Sequence, residues 1–301
     1  MNSSAQPETS REITAKLEPR ELEEEWKKKA PKPPKLQAVV KMGARTDLGR
    51  VRENNEDKFD FFEPEDEDVL AARGSFYAVA DGMGGHAAGQ IASELALKTV
   101  INSYYGDVTG DLDEALIRAV RQANSLIHDA ARAIVERSGM GTTLTGAIVW
   151  GDELHIIQVG DSRAYLVRDG ETRQITEDHS WVCEQVKLGA LTEEEAQYSP
   201  FRNVITRSLG ASPDIAPDIY VEKLREGDVV VLCTDGLHGN VSPEEIVRAV
   251  EGNGPSQTAK ELADLANERG GSDNITVLVL AAKQIEKKAR GGRIKRLLSR
   301  D

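Results

Sequence analysis

The sequence predicts an α+β fold, a layered sandwich with antiparallel sheets inside and helices outside. Two observations carry this. Short apolar runs at 76–80, 144–150, 154–159, 229–234 and 275–281 have strand length, whereas 88–105 and 111–137 switch to helical spacing. The order is strands, two long helices, more strands, two helices and a last strand, without regular βαβ alternation or any internal repeat.

Residues 1–35 read as a flexible, charged and Pro-rich extension. Residues 20–29 mix Glu and Lys at helical spacing, as a short solvated helix would, and Pro31, Pro33 and Pro34 form a stiff linker. Strands follow at 39–42 and 59–62, then an acidic loop at 63–68 and a strand at 76–80. The first helix carries Ile91, Leu95, Leu97 and Ile101. The second carries Leu112, Leu116, Val120, Ala123, Ile127, Ala131 and Ile134 on one stripe, with Asp111 as its cap and Gly139 as its stop. Gly151-Asp152 turns one hairpin and Asp169-Gly170 the next. Residues 178–213 break the strand pattern, with short helices at 181–188 and from Thr192. Strands at 219–224 and 229–234, helices at 243–250 and 257–268, and a strand at 275–281 complete the domain. Residues 283–301 form a basic tail with interleaved Ile294, Leu297 and Leu298, which suits solvent or weak contact with an anionic membrane surface.

The chain has 301 residues and a formal net charge of -13, which disfavours general nucleic-acid binding because phosphate backbones need basic surface. It does not exclude a phosphate substrate, since bound cations reverse the local sign. Cys183 and Cys233 have no metal-type spacing, so a disulfide framework is not expected and a reducing, cytoplasmic setting is. No signal-peptide core and no apolar run long enough to span a bilayer is present.

Four aspartates sit at the ends of apolar runs. Asp81, Asp161 and Asp235 close them, and Asp273 opens one. Aspartate is a poor strand residue and is seldom buried unless paired or bound to metal. Gathered at one sheet edge, the four would repel one another unless hard divalent cations lay between them. Arg52-Glu53-Asn54-Asn55-Glu56-Asp57 adds two adjacent acids and a planar guanidinium suited to phosphate. Asp81-Gly82-Met83-Gly84-Gly85-His86 runs from strand to glycine-rich turn to helix. There Gly82 can offer a carbonyl to a metal, and His86 is placed to give or take a proton. Asn274 is placed to hold Asp273 by a hydrogen bond. No Cys-x5-Arg loop exists; Cys233 reads as core and Cys183 as passive.

These motifs, with Gly141-Thr142-Thr143, Gly160-Asp161-Ser162-Arg163, Thr234-Asp235-Gly236 and Ser272-Asp273-Asn274 in order, resemble metal-dependent protein phosphatases of the 2C type (PPM family), bacterial branch, over residues 39–282. The resemblance implies a four-layer αββα sandwich and a serine/threonine protein phosphatase that uses a metal-bridging water, with two or three Mn2+ or Mg2+ ions. Asp81, Asp235 and Asp273 would bind the first ion, and Glu56, Asp81 and the Gly82 carbonyl the second. Asp161 with Asp235 would bind a third. Asp57 would orient water, Arg52 would hold the substrate phosphate, and His86 would protonate the leaving group. Met83 stands where the animal enzymes have a histidine. Residues 178–213 resemble the bacterial flap, with Tyr198-Ser199-Pro200-Phe201 in place of its usual His-Pro. The implied partners are phosphorylated proteins and an opposing bacterial Ser/Thr kinase, with the chain a monomer. Two alternatives stand beside this: a phosphatase of the sigma-factor partner-switching type, and a catalytically dead relative that docks a phosphoprotein.

Overall fold

The computed structural model describes residues 33–85, 87–107 and 110–287. In chain order these form β1 (Leu36–Asp47), β2 (Lys58–Phe62), α1 (Glu67–Arg73), β3 (Ser75–Ala80), β4 (Gly82–Met83), α2 (Ala87–Gly106), α3 (Leu112–Ala133), β5 (Gly141–Thr142), β6 (Leu144–Trp150) and β7 (Glu153–Val159). Then come β8 (Arg163–Arg168), β9 (Glu171–Gln174), α4 (Trp181–Lys187), α5 (Glu193–Tyr198), β10 (Asp218–Lys223), β11 (Val229–Cys233), α6 (Asp235–His238), α7 (Pro243–Val250), α8 (Pro255–Glu268) and β12 (Ile275–Lys287).

The strands build two antiparallel five-stranded sheets, ordered β1-β12-β11-β8-β9 and β10-β7-β6-β3-β2, and a small β4-β5 ribbon. Successive strand side chains point to opposite faces, so a strand covered on both sides must be apolar throughout. β12 shows this. Leu278 and Leu280 fill the core between the sheets, whereas Val277 and Val279 pack under α7 and α8. On β3, Tyr77 and Val79 face the other sheet, while Phe76, Ala78 and Ala80 pack under α2 and α3. The layers are therefore helix pair, sheet, sheet, helix pair, as the α+β reading expected. Each fully buried Leu, Ile or Val in these layers stabilises the fold by roughly 1.5–3 kcal/mol. Cys233 is core, as expected, and both cysteines are free. Among the described residues no helix is long and apolar enough to cross a membrane.

Several boundaries differ from the sequence reading. The acidic loop gives way to helix α1, because the Asp66 side chain accepts the Asp68 and Val69 N–H groups and acids occupy the first turn, where the helix dipole favours them. α3 starts as expected, with Asp111 accepting the Glu114 N–H at 2.8 Å, but ends at Ala133; Ile134 is extended and a 3-10 turn follows. Thr234-Asp235-Gly236 opens helix α6, with Thr234 at its N-cap. β1 and β12 are longer than expected, pairing from Leu36↔Lys287 to Asp47↔Ile275. Thr192 and Glu195 form the capping box that starts α5. Most of residues 1–35 and the tail from 288 lie outside the described residues, as does His86.

Candidate active site

Antiparallel pairing brings the acidic residues to one edge of the sandwich. Lys58 pairs with Ala80, so Glu56 and Asp57 before β2 lie beside Asp81 after β3. Cys233 pairs with Val277 and with Arg163, which sets Asp235 near Asp273 and near Asp161. Asp81, Asp57, Asp235, Asp161 and Asp273 lie close enough for the other four charges to act on Asp81.

Backbone and hydroxyl groups hold each acid. The Thr143 hydroxyl accepts the Asp81 N–H at 2.9 Å, and the Thr142 hydroxyl donates to the Asp81 carbonyl at 2.8 Å. Asp57 is 1% exposed; its Oδ2 accepts from Thr234 Oγ1 at 2.7 Å, and Thr276 also bonds to it. The carbonyl of Glu56 accepts from Ser93 Oγ at 2.6 Å, while its N–H donates to Asn274 Oδ1 at 2.8 Å. A Cβ on Gly89 would come within 1.9 Å of Glu56 Oε2, and one on Gly82 within 2.2 Å of the Gly89 carbonyl oxygen. Glycine at both positions is what lets the Glu56 carboxylate and the Gly82 backbone pack closely against Gly89.

Asn274 does more than the sequence reading assigned it. Its backbone N–H donates to Asp273 Oδ1 at 2.8 Å. Its side-chain amide donates to the carbonyls of Leu48 at 2.9 Å and Asn54 at 3.0 Å, which ties the Arg52 loop to β12. Arg52 stands half-exposed, with Nη2 2.6 Å from Asp273 Oδ2. Sequence reasoning gave no role to Thr143, Thr234, Thr276 or Ser93. Their signal was a hydroxyl residue within or beside the quoted motifs, or one helical turn past Gly89.

The electrostatics are those of crowded anions. Burial pushes the Asp57 carboxyl up to about 7, with the Thr234 and Thr276 hydroxyls opposing and the Asp235 and Asp273 charges reinforcing the shift. Burial and the Asp235 and Asp178 charges raise Asp161 to about 7. Asp81 and Asp235 are also raised, by burial first and then by neighbouring carboxylates. Among the described residues, Asp57 Oδ1, Asp161 Oδ1 and Asp235 Oδ1 are buried without a hydrogen-bond partner. Orphaned anionic oxygens, raised affinity for positive charge and a glycine cradle beside Glu56 fit hard divalent cations. Among the described residues, no three His, Cys, Asp or Glu side chains converge tightly enough to hold an ion by themselves. Mg2+ and Mn2+ tolerate this, since they retain several waters and accept backbone oxygen.

Residues 178–213 cover the Asp161 side. Arg163 forms a bidentate pair with Asp178, the Trp181 ring packs 5.1 Å from Phe201, and Leu209 and Thr142 exchange backbone hydrogen bonds of 2.9 and 3.1 Å. His238 Nε2 lies 3.0 Å from the Asp161 carbonyl; burial and the Arg163 charge push its imidazole down to about 3, so it is neutral. Cys233, raised to about 12 by burial, offers no thiolate.

Comparison with known proteins gives a consistent result. The family described as Protein phosphatase 2C matches residues 50–274. Serine/threonine protein phosphatase PstP of Mycobacterium tuberculosis is 40% identical over 241 residues, covering 80% of this chain and 45% of that protein, so the chain spans about half of this relative's length. Serine/threonine phosphatase stp of Listeria innocua is 35% identical over 252 residues, 81% of this chain and 96% of that one. A solved catalytic domain of serine/threonine protein phosphatase PstP in complex with two manganese ions superposes with a TM-score of 0.70 at 38% identity, covering 83% of this chain and 100% of the other.

Proposed function

The chain belongs to the protein phosphatase 2C family, and on that premise we propose that it is a metal-dependent serine/threonine protein phosphatase acting on phosphoserine and phosphothreonine in proteins. The buried carboxylate oxygens of Asp57, Asp161 and Asp235, unpartnered and crowded at one sheet edge, carry this reading. Asp81, Asp235 and Asp273 would hold one Mn2+ or Mg2+, and Glu56, Asp81 and the Gly82 carbonyl a second. Asp161 with Asp235 would hold a third. When bound, the ions acidify a water and neutralise charge on the phosphoryl group.

The chain's own residues supply the rest. Asp57, fixed through Oδ2 by Thr234, keeps its other carboxylate oxygen unpartnered and would orient the attacking water. Arg52 uses one N–H on Asp273 and has others to present to a phosphate, in the planar geometry that suits phosphoryl oxygens. Asn274 holds that loop in register with the acids. With both thiols raised, no cysteine phosphoenzyme is expected. His86 is the proposed proton donor to the leaving oxygen. The catalytic domain on this reading spans 36–282, with the flap at 178–213. The substrates would be phosphoproteins of the cytoplasm, made by an opposing bacterial Ser/Thr kinase, and the enzyme would work as a monomer.

The test is Mn2+-dependent hydrolysis of p-nitrophenyl phosphate and of a phosphothreonine peptide by wild type and by Asp81→Ala and Asp235→Ala. Wild-type turnover lost in both variants, with their circular dichroism unchanged, supports the reading. Full activity in either variant, or a wild type that binds phosphopeptide without turning it over, would refute it.

A further inference from the structure

One imidazole links the flap to the Asp161 turn. His179 is 5% exposed. Its ring Nδ1 accepts the Gly160 N–H at 3.1 Å, and the His179 backbone N–H donates to the Gly160 carbonyl at 2.8 Å. A ring nitrogen that accepts carries no proton, so the neutral ring bears its proton on Nε2. That nitrogen lies 3.1 Å from Asp218 Oδ2. The other Asp218 oxygen accepts from Arg207 Nη1 at 2.9 Å, and the same Nη1 donates to the Ala216 carbonyl at 2.9 Å. Arg207 Nη1 and His179 Nε2 are 3.1 Å apart, and each also contacts one oxygen of the Asp218 carboxylate. On the returning side of the flap, the Thr206 N–H donates to the His179 carbonyl at 2.8 Å.

Gly160 passes this contact on. Its φ of 101° suits glycine, and a Cβ there would come within 2.5 Å of the Thr143 methyl carbon. The Thr143 hydroxyl in turn accepts the Asp81 N–H at 2.9 Å and lies 2.7 Å from Ser162 Oγ. A contiguous path therefore runs from both ends of the flap through His179 and Gly160 to the peptides that carry Asp161 and Asp81.

We propose that His179 is a positioning residue whose Nδ1, by holding the Gly160 N–H, locks the flap to the Asp161 turn and so sets the carboxylate assigned to the third ion. The catalytic consequence rests on the phosphatase reading; the structural lock does not.

The paired variants His179→Asn and His179→Gln separate the two faces of the ring. The asparagine oxygen falls near Nδ1 and can still accept from Gly160. The glutamine amide reaches toward Asp218 as Nε2 does and leaves the Gly160 N–H without an acceptor. Gly160 amide exchange and limited proteolysis of 178–213 are expected to stay near wild type in His179→Asn and to accelerate in His179→Gln. The Mn2+ concentration for half-maximal activity should rise about tenfold in His179→Gln alone, the scale of a lost supporting bond behind a metal ligand. Equal behaviour of the two variants, or faster exchange in the asparagine one, overturns the proposal. Should neither variant fold, nitrogen NMR of the wild-type ring decides. A protonated Nε2 with an unprotonated, hydrogen-bonded Nδ1 supports the lock, and the opposite tautomer sinks it. A wild type inactive at every Mn2+ concentration would fail the phosphatase reading and leave the exchange comparison to decide the lock.

Discussion

Thr234 Oγ1 donates to Asp57 Oδ2 across 2.7 Å, joining residues 177 apart in the chain that adjoin strands of opposite sheets. The same oxygen accepts the Thr276 N–H at 3.0 Å, so one hydroxyl serves a buried carboxylate and a buried backbone donor at once. This bond holds one Asp57 oxygen and leaves the other unpartnered, with the Asp235 and Asp273 charges close enough to act on the group.

Thr234→Val keeps the shape and removes both bonds. Leaving a buried donor and a buried carboxylate short of partners should cost about 1–3 kcal/mol of stability. Urea unfolding at neutral pH reads this, with kcat expected to fall while KM for phosphopeptide changes little. Thr234→Ser, which retains the hydroxyl, should recover most of the kcat. A valine variant as active and as stable as wild type would remove Asp57 orientation from the account.

Gly89 gives a second prediction, in which local propensity and function pull apart. Alanine is the better helix former by about 0.5–1 kcal/mol, yet a Cβ at this point of α2 meets Glu56 Oε2. Gly89→Ala should keep the helical circular dichroism and displace the Glu56 carboxylate. Calorimetric Mn2+ binding should then weaken by about tenfold or more. Gly106→Ala is the control, since a Cβ there meets nothing within 4 Å; its Mn2+ binding should match wild type.

The strand-tip aspartates were legible because aspartate at the end of an apolar run conflicts with both β propensity and burial, and that conflict marks a site. The stripe of α3 and its Asp111 cap were legible because they are local. What escaped had other causes. α1 lay hidden in an acidic run, where Asp66 served as cap and not as loop. The β4-β5 ribbon is two residues deep, too short for any period to show. The Thr234–Asp57 bond and the Asn274 clamp on Leu48 and Asn54 join distant segments. Only the assembled sheets reveal them, and no window of sequence contains both partners.

Cation binding should stabilise the fold by relieving repulsion among the buried carboxylates. Dialysis against chelator should abolish hydrolysis and lower the melting temperature, and Mn2+ should restore both, with about 2.7 kcal/mol gained at a hundredfold excess over Kd. Asp235→Asn should invert the ranking. It removes a buried like charge and should melt above wild type in chelator, but below it in saturating Mn2+. Differential scanning calorimetry under both conditions checks this. A variant that melts lower in both would mean that Asp235 is a structural residue first.

His155 and Asp113 form a pair remote from the acids. His155 on β7 lies 2.7 Å from Asp113 Oδ1, with Glu153 farther off at 3.6 Å. Burial acts to lower the imidazole, but the Asp113 hydrogen bond and charge outweigh it and hold the group above its ordinary value. A raised folded-state pKa means that the charged pair stabilises fully below the unfolded value of about 6.5 and fades as pH rises through the higher folded value. The difference in urea unfolding free energy between wild type and Asp113→Asn should therefore be largest near about pH 5.5 and smaller near about pH 8.5. It should not vanish there, because the neutral ring still donates from Nδ1. A difference that stays flat or grows with pH would show that His155 enters the fold uncharged, held by packing against Trp150 and not by Asp113.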